Sequence, residues 1–455
     1  LRLKPPELKA RGGRGPPDST LLANRAPAAM RSLAALFLLG ALRPAPSALG
    51  ERISAADELE EEGDKPFDLY VIGDSHGDQN YLYRCLLSTG LFKLKGSAAP
   101  DEHEEVSWGL VWKDNPKVRA RDFEVVVLGD AIDRGTHSLQ NLQLLKELAD
   151  HKVLGKRLVF LLGNHESMMI RHVHNYADET DMSKMRRLEL LTATQGRDSK
   201  LAEWLTRRPV VYLSHGVLMT HGGLSLPVLK LALKDESAGW VKEACKSGRD
   251  QCGRAITDHI NELARGYYQK LHECAQAKGL ENVDQCKGKK QEEPYPLGTQ
   301  GDKRLESSWT KGGGGVLWFR GFSALKYGAN TAAACQEASK VGQYLGATMM
   351  PVAHSTHEEI YEFCSEENMV PIYTLDTHPS DCRKMGECDF DPIKWYHLND
   401  EIEYDEPNVP QSLHVRFGAK GAHEFTKKCL SKVEEDGEVK RGCSEITKLP
   451  TAAAA

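Results

Sequence analysis

The sequence runs to 455 residues, 40% of them hydrophobic, enough for one large core or two smaller ones. Its formal charge is -6, and no basic stripe interleaved with aromatics appears, which argues against nucleic acid as a partner. Residue 1 is Leu, and the first methionine is Met30. From Met30-Arg31 an apolar run, Leu33 to Leu42, leads to Arg43-Pro44-Ala45-Pro46 and then Ala48-Leu49-Gly50. This is the form of a secretory signal peptide, and the run is too short for a stable membrane span. Residues 1–29 are Arg-rich and poor in acids, which also fits a bipartite organelle peptide. The expectation is the secretory pathway or the extracellular space, with organelle targeting as the alternative. Residues 51–66 are acidic and polar and read as a linker.

The first apolar run of the domain, Leu69 to Ile72, ends in Gly73-Asp74-Ser75-His76-Gly77-Asp78. Asn80 to Leu87 then reads as a helix with Leu82, Cys85 and Leu86 on one face. Residues 95–122 form an insertion in which Trp108 and Trp112 suggest a hairpin. Val125 to Leu128 runs into Gly129-Asp130-Ala131-Ile132-Asp133-Arg134-Gly135, two carboxylates and a guanidinium on one glycine-bounded turn. A helix from Ser138 to about Asp150 follows, with Leu139, Leu142, Leu145 and Leu148 inward and Ser138 placed to cap it.

Leu158 to Leu162 leads into Gly163-Asn164-His165-Glu166, with Glu166 expected to brace its own turn. Ser167 to Arg208 reads as helical, its His172 and His174 being core or surface residues rather than ligands. Pro209 to Tyr212 and Val217 to Met219 read as a hairpin turning at Ser214-His215-Gly216, followed through Thr220 by His221-Gly222-Gly223. Leu226 to Gly279 reads as helices, and residues 280–315 as a polar loop ending in Gly312 to Gly315. A glycine-rich phosphate cradle is possible there, although no P-loop lysine pattern follows. A helix from about Thr331 to Leu345 precedes Met349 to Ala353, which runs into His354-Ser355-Thr356-His357. His357 reads as a solvated residue, with an extra contact to the site as the alternative. The strand Met369 to Leu375 ends in Asp376-Thr377.

Five apolar runs therefore end in turns rich in Asp, His and Asn, mostly beside glycines that let the backbone turn tightly. Open α/β sheets gather ligands at the carboxyl ends of their strands. Oxygen and imidazole donors without thiolates suit Mn, Fe or Zn rather than a structural zinc site. Of the 11 cysteines, ten lie at or after Cys245, and several are close neighbours: Cys245 and Cys252, Cys274 and Cys286, Cys382 and Cys388, Cys429 and Cys443. Several are expected in short disulfide loops, with connectivity open and buried free thiols as the alternative.

The ordered set Gly-Asp-x-His-Gly, Gly-Asp-x-x-Asp-Arg-Gly, Gly-Asn-His-Glu and His-Gly-Gly resembles the phosphoprotein phosphatases of the calcineurin-like metallophosphoesterase superfamily. Ala353-His354 followed by Tyr361-Glu362-Phe363 is similar to the family's last metal-histidine segment. The Trp-bearing insertion, Leu317-Trp318-Phe319-Arg320-Gly321 and the Asp376-Thr377 strand end look like the Shewanella-like, bacterial-type branch. The resemblance covers roughly residues 67–378. It implies an α/β fold, a four-layer α/β/β/α sandwich with a dinuclear metal site at strand ends. Residues 1–50 would be a leader, 51–66 a linker, 67–378 the phosphoesterase domain and 379–455 a Cys-rich extension.

The resemblance also implies two divalent or mixed-valence metal ions (Mn, Fe or Zn). Asp74 and His76 would hold the first, Asp130 would bridge, and Asn164, His221 and His354 would hold the second. His165 would be the general acid, oriented by Asp133, while Arg134 and Arg320 would hold phosphate oxygens. The implied reaction is hydrolysis of phosphate monoesters by a metal-activated hydroxide, on a phosphorylated protein or peptide carrying phosphoserine, phosphothreonine or phosphotyrosine. The alternatives are a phosphatase of small molecules or nucleotides and a non-catalytic scaffold. No sign of a regulatory partner is present.

Overall fold

The computed structural model describes residues 67–94, 110–112, 122–152, 154–178, 184–288, 292–306, 313–325, 331–357, 359–377, 411–417 and 423–429, with short pieces between 432 and 448. The leader and the linker lie outside the described residues. So do Trp108 and the Cys382–Cys388 neighbours.

The strands are β1 (Phe67–Ile72), β2 (Phe92–Leu94), β3 (Leu110–Trp112), β4 (Asp122–Val127), β5 (Leu158–Phe160), β6 (Val211–Ser214) and β7 (Val217–Thr220). They continue with β8 (Met350–Val352), β9 (Tyr361–Phe363), β10 (Ile372–Thr374), β11 (Gln411–Phe417), β12 (His423–Cys429), β13 (Lys432–Val433), β14 (Val439–Lys440) and β15 (Thr447–Lys448). A five-stranded sheet has the order β12-β11-β1-β4-β5, and a four-stranded sheet the order β15-β9-β10-β8. β1, β4 and β5 run parallel, and β11 joins β1 antiparallel. The β6–β7 hairpin leans on the second sheet through Leu218 N, which donates to Met349 O at 3.0 Å.

Alternation along the strands explains the layering. Leu69 and Val71 of β1, with Val126 and Leu128, share one core with Met349, Ala353, Tyr373 and Leu375. That core lies between the two sheets. The other parity, Tyr70, Ile72, Val125 and Val127 in one sheet and Met350, Val352 and Ile372 in the other, joins the larger core that includes the helices. Both faces of both sheets are thus buried, which is why these strands read as continuous apolar runs. The result is the expected α/β/β/α sandwich.

Helices fill the connections: α1 (Gln79–Ser88), α2 (Ser138–Asp150), α3 (Asn164–Ile170), α4 (Lys184–Thr192), α5 (Gly196–Thr206), α6 (Leu226–Lys234), α7 (Gly239–Ser247), α8 (Arg249–Lys278) and α9 (Thr331–Leu345). α1 is capped by Asp78, whose side chain accepts from Tyr81 N at 2.9 Å. α2 spans the expected residues, but His137 takes the cap position. Ser138 Oγ instead accepts from Asp133 N at 3.0 Å, and so serves the turn before the helix.

One further expectation changes. The domain was expected to stop at 378, yet β11 pairs with β1 over six residues and buries Leu413, Val415 and Phe417 in the inter-sheet core. The sheet is therefore completed by residues from the region taken as an extension. In the glycine run, Gly313 and Gly315 serve close packing of the chain: a Cβ on Gly313 would lie 2.2 Å from Leu305 O and one on Gly315 2.1 Å from Pro296 O.

Among the described residues, disulfides join Cys245 to Cys252, Cys274 to Cys286, and Cys335 to Cys364. The first two are the short loops anticipated from spacing. The third links α9 to the residue after β9 and was not legible from nearness in sequence. Cys85 is a buried free thiol.

Candidate metal centre

Each predicted ligand sits just past a strand, and the turns lock one another through backbone bonds. Ser75 N and His76 N donate to Asp130 O at 3.1 and 2.8 Å, and Gly77 N donates to Ala131 O at 3.0 Å. Gly129 has φ +101°, and a Cβ there would lie 2.2 Å from Gly163 N. Only glycine fits a turn that is both left-handed and pressed on the next one.

Glu166 closes the knot as expected: Oε2 accepts from Asp130 N at 2.9 Å and Gly163 N at 2.8 Å, and Oε1 from Ala131 N at 2.8 Å. Burial and the Asp130 charge push its carboxyl up to about 7. Five site residues that are not glycine hold left-handed backbone: His76, Asp130, Asp133, Arg134 and His354, with φ between 43° and 72°. Such strain persists only where surrounding structure enforces it, and it gathers at functional sites.

The six expected metal ligands come together in one buried cluster. Ligand atoms of Asp130, His221 and His354 lie within 4.8 Å of one another, as do those of His76, Asp130 and His165. His221 Nδ1 donates to Leu128 O at 3.1 Å, and His76 Nδ1 to Ile132 O at 3.4 Å. In a neutral imidazole this leaves the Nε2 lone pair as the inward atom. His221 Nε2 then faces Asn164 Oδ1 at 2.9 Å and Asp130 Oδ2 at 3.2 Å, while His76 Nε2 lies 3.6 Å from Asp74 Oδ2.

Both carboxylate oxygens of Asp74 and Nε2 of His354 are buried without a hydrogen-bond partner. Burial, followed by the charges of Asp376 and Asp130, pushes the Asp74 carboxyl well above its usual range. Burial, with the neighbouring His221 ring and Arg320 guanidinium, holds His354 well below its usual range, hence neutral. Converging lone pairs and unpartnered carboxylate oxygens fit bound cations, and nothing in the donor set conflicts with them.

His165 stands beside this cluster. Its Nδ1 donates to Asp133 Oδ2 at 2.6 Å, its backbone N donates to Asp130 Oδ1 at 2.9 Å, and its Nε2 lies 3.7 Å from Asp130 Oδ2. Burial lowers the His165 pKa, but the Asp130 and Asp133 charges outweigh it and leave the imidazole above its ordinary value. The other oxygen of Asp133 accepts from Nη2 of Arg187, a residue with no exposed surface. Arg187 had no role in the sequence reading, since it reaches Asp133 from a helix 54 residues away.

The two expected phosphate arginines differ. Arg134 is half-buried on the Asp133 turn. Arg320 is exposed, and its Nη1 donates to His354 O and Ser355 Oγ, both at 3.0 Å. His357, read as solvated, is buried and donates through Nε2 to Ser323 O at 2.5 Å. His172 is buried, and His215 occupies the hairpin turn with φ 49°, stacked on Phe67. Sequence reading also passed over Asp376 and Tyr176. Asp376 has a ligand atom within 4.8 Å of those of Asp74 and His76. The Tyr176 ring meets His165 edge-on at 5.2 Å and is 51% exposed.

Residues 67–270 match the family profile described as calcineurin-like phosphoesterase. Over those residues the chain is similar to the calcineurin-like phosphoesterases. A symmetrical bis(5'-nucleosyl)-tetraphosphatase from Nitrosospira multiformis is 28% identical over 147 residues, covering 31% of this chain and 49% of that protein. One from Burkholderia mallei is 32% identical over 128 residues, 28% of this chain and 42% of that protein. The chain thus spans about half the length, or less, of these curated relatives.

Among solved structures, the cold-active protein-tyrosine phosphatase of a psychrophilic Shewanella is similar at 15% identity and a TM-score of 0.42, over 80% of this chain and 82% of that one. A metallophosphoesterase from Sphaerobacter thermophilus gives 11% identity and a TM-score of 0.34, over 82% and 91%. The matched stretch ends at 270, so His354 and Arg320 reach the buried donor cluster from beyond it.

Proposed function

We propose that the chain is a metal-dependent phosphatase acting on phosphate monoesters of proteins, with Asp74, His76, Asp130, Asn164, His221 and His354 holding two divalent cations. Bound there, the cations supply Lewis acidity, lowering the pKa of a water and neutralising phosphoryl charge. The observation that carries the reading is the buried His165–Asp133 pair at 2.6 Å, set beside that donor cluster. Asp133 fixes the ring so that Nε2 faces the cluster, and the protonated Nε2 can hand its proton to a leaving oxygen. Arg134 and Arg320 carry planar donors that suit phosphoryl oxygens. Arg320 is already held against the His354 turn.

Tyr176 favours phosphotyrosine within this reading. Its exposed ring beside His165 offers an apolar face to an aryl leaving group. The Leu317–Gly321 segment and the Asp376-Thr377 strand end support assignment to the Shewanella-like branch. The three disulfides support an oxidising compartment, hence the secretory pathway.

A second reading is cleavage of dinucleoside polyphosphates, favoured by the names of the curated relatives. Its expected motif ends Gly-Asn-His-Asp and lacks the Asp-Arg-Gly turn, whereas this chain has Glu166 and Asp133-Arg134-Gly135. The deciding experiment measures turnover of an aryl phosphate, a phosphotyrosine peptide, a phosphoserine peptide and a dinucleoside tetraphosphate, each with Mn²⁺ and with chelator. Turnover on the peptides, lost in chelator and in Asp130→Asn, is expected. His165→Asn should keep its metal and lose about 10²–10⁴-fold in kcat. Turnover restricted to the dinucleotide moves the assignment to the second reading. Wild-type activity in Asp130→Asn removes the site.

A further inference from the structure

Asp376 lies two residues past β10, is 1% exposed, and points into the centre. Its Oδ2 accepts from Thr356 Oγ1 at 3.1 Å, which fixes the carboxylate plane. Its Oδ1 is buried with no hydrogen-bond partner. The two oxygens of Asp74 are in the same state, and ligand atoms of Asp74, His76 and Asp376 lie within 4.8 Å of one another.

The juxtaposition is built by the chain path. A Cβ on Gly73 would lie 2.0 Å from Leu375 O, so the ends of β1 and β10 touch backbone to backbone. Glycine at 73 is what lets Asp376 come alongside Asp74. Two buried carboxylates facing one another are unfavourable unless a proton or a cation lies between them, and the His76 imidazole beside them completes a cation's donor set.

We infer that Asp376 is a direct ligand of the first cation, together with Asp74, His76 and Asp130. This rests on reading the cluster as a metal centre and deepens it. The first position then has three carboxylates and one imidazole, while the second has Asp130, Asn164 and two imidazoles. A set of three oxygens and one nitrogen suits a hard ion such as Mn²⁺, and a set split evenly between oxygen and imidazole nitrogen a borderline ion such as Zn²⁺. The two positions are therefore chemically unlike, and Asp376 makes the difference.

The test titrates metal-free full-length wild type, Asp376→Asn and Asp376→Ala with Mn²⁺ alone by calorimetry, and counts retained metal after dialysis. Wild type should take up two ions. Asp376→Asn should lose more than about 100-fold in affinity at one position and keep the other, beyond the roughly 10–100-fold typical of an outer partner. In chelator, Asp376→Asn should melt no lower than wild type, because a repulsion rather than a contact is removed.

An affinity loss under about 100-fold, or a lower melting point in chelator, overturns the inference. Should both Asp376 variants fail to fold, Thr356→Val, which removes only the orienting hydroxyl, reads the same position. It should weaken that one ion by about tenfold or more, and unchanged binding overturns the inference. A wild-type chain that takes up no metal overturns the metal-centre reading instead, so the two failures are distinct.

Discussion

At the scale of single residues, His165 is held by a buried chain of two contacts. His165 donates to one oxygen of Asp133, and Arg187 donates to the other. Asp133 is 1% exposed and Arg187 has no exposed surface, so neither charge is met by bulk water. Breaking such a pair from one side leaves an uncompensated buried charge, at a cost of about 3–5 kcal/mol. Arg187→Leu is therefore expected to lose about that much stability by urea unfolding, and Arg187→Lys distinctly less. A loss below 1 kcal/mol would show that Asp133 does not depend on Arg187.

The local motifs displayed the ligands themselves, because each ligand and the glycines that shape its turn are neighbours in the chain. Arg187 and Asp376 were illegible for the opposite reason. Each meets its partner only after folding, from 54 residues away for Arg187 and from a strand at the far end of the domain for Asp376. The exposure of His357 was misjudged likewise, since its partner, Ser323 O, comes from a distant loop.

At the scale of elements, strand ends were legible and strand partners were not. Apolar runs marked β1, β4, β5, β7 and β8, because burial on both faces removes alternation. The partner of β1 is β11, more than 300 residues on, and no short-range pattern encodes that ladder.

Between elements, Glu124 of β4 accepts from Tyr212 Oη at 2.9 Å and Ser214 Oγ at 2.7 Å, tying the first sheet to the β6–β7 hairpin. Burial raises its carboxyl above the usual value, although both hydroxyls oppose this. A raised folded-state value means the native protein binds the proton more tightly than the unfolded chain does. Stability on this account is greatest below the unfolded value of about 4.3 and falls as pH rises through the folded value. Glu124→Gln should flatten that part of the melting-temperature profile from pH 4 upward. An unchanged slope would assign it to other groups.

At the scale of the whole molecule, the domain is not finished at residue 378. β11 supplies six paired positions to β1 and three apolar side chains, Leu413, Val415 and Phe417, to the inter-sheet core. Burying side chains of this kind is worth about 1.5–3 kcal/mol each, so the three together rival the roughly 5–15 kcal/mol by which domains are stable. A chain ending at 378 should be aggregated or unfolded by size-exclusion chromatography and circular dichroism. A folded, monomeric product would return β11 to the status of an appendage.

The donor set also has an architectural side. Asp74, Asp130 and Asn164 are carried by the sheet of β1, β4 and β5, whereas His354 and Asp376 are carried by the sheet of β8 and β10, and His221 by the hairpin that leans on it. The centre therefore lies on the seam between two half-shells, and a cation there acts as a rivet through both. Ligand convergence and the pairing of the two sheets are then the same alignment. Withdrawing an ion bound there would remove a link between the halves, and prying the halves apart would part its ligands.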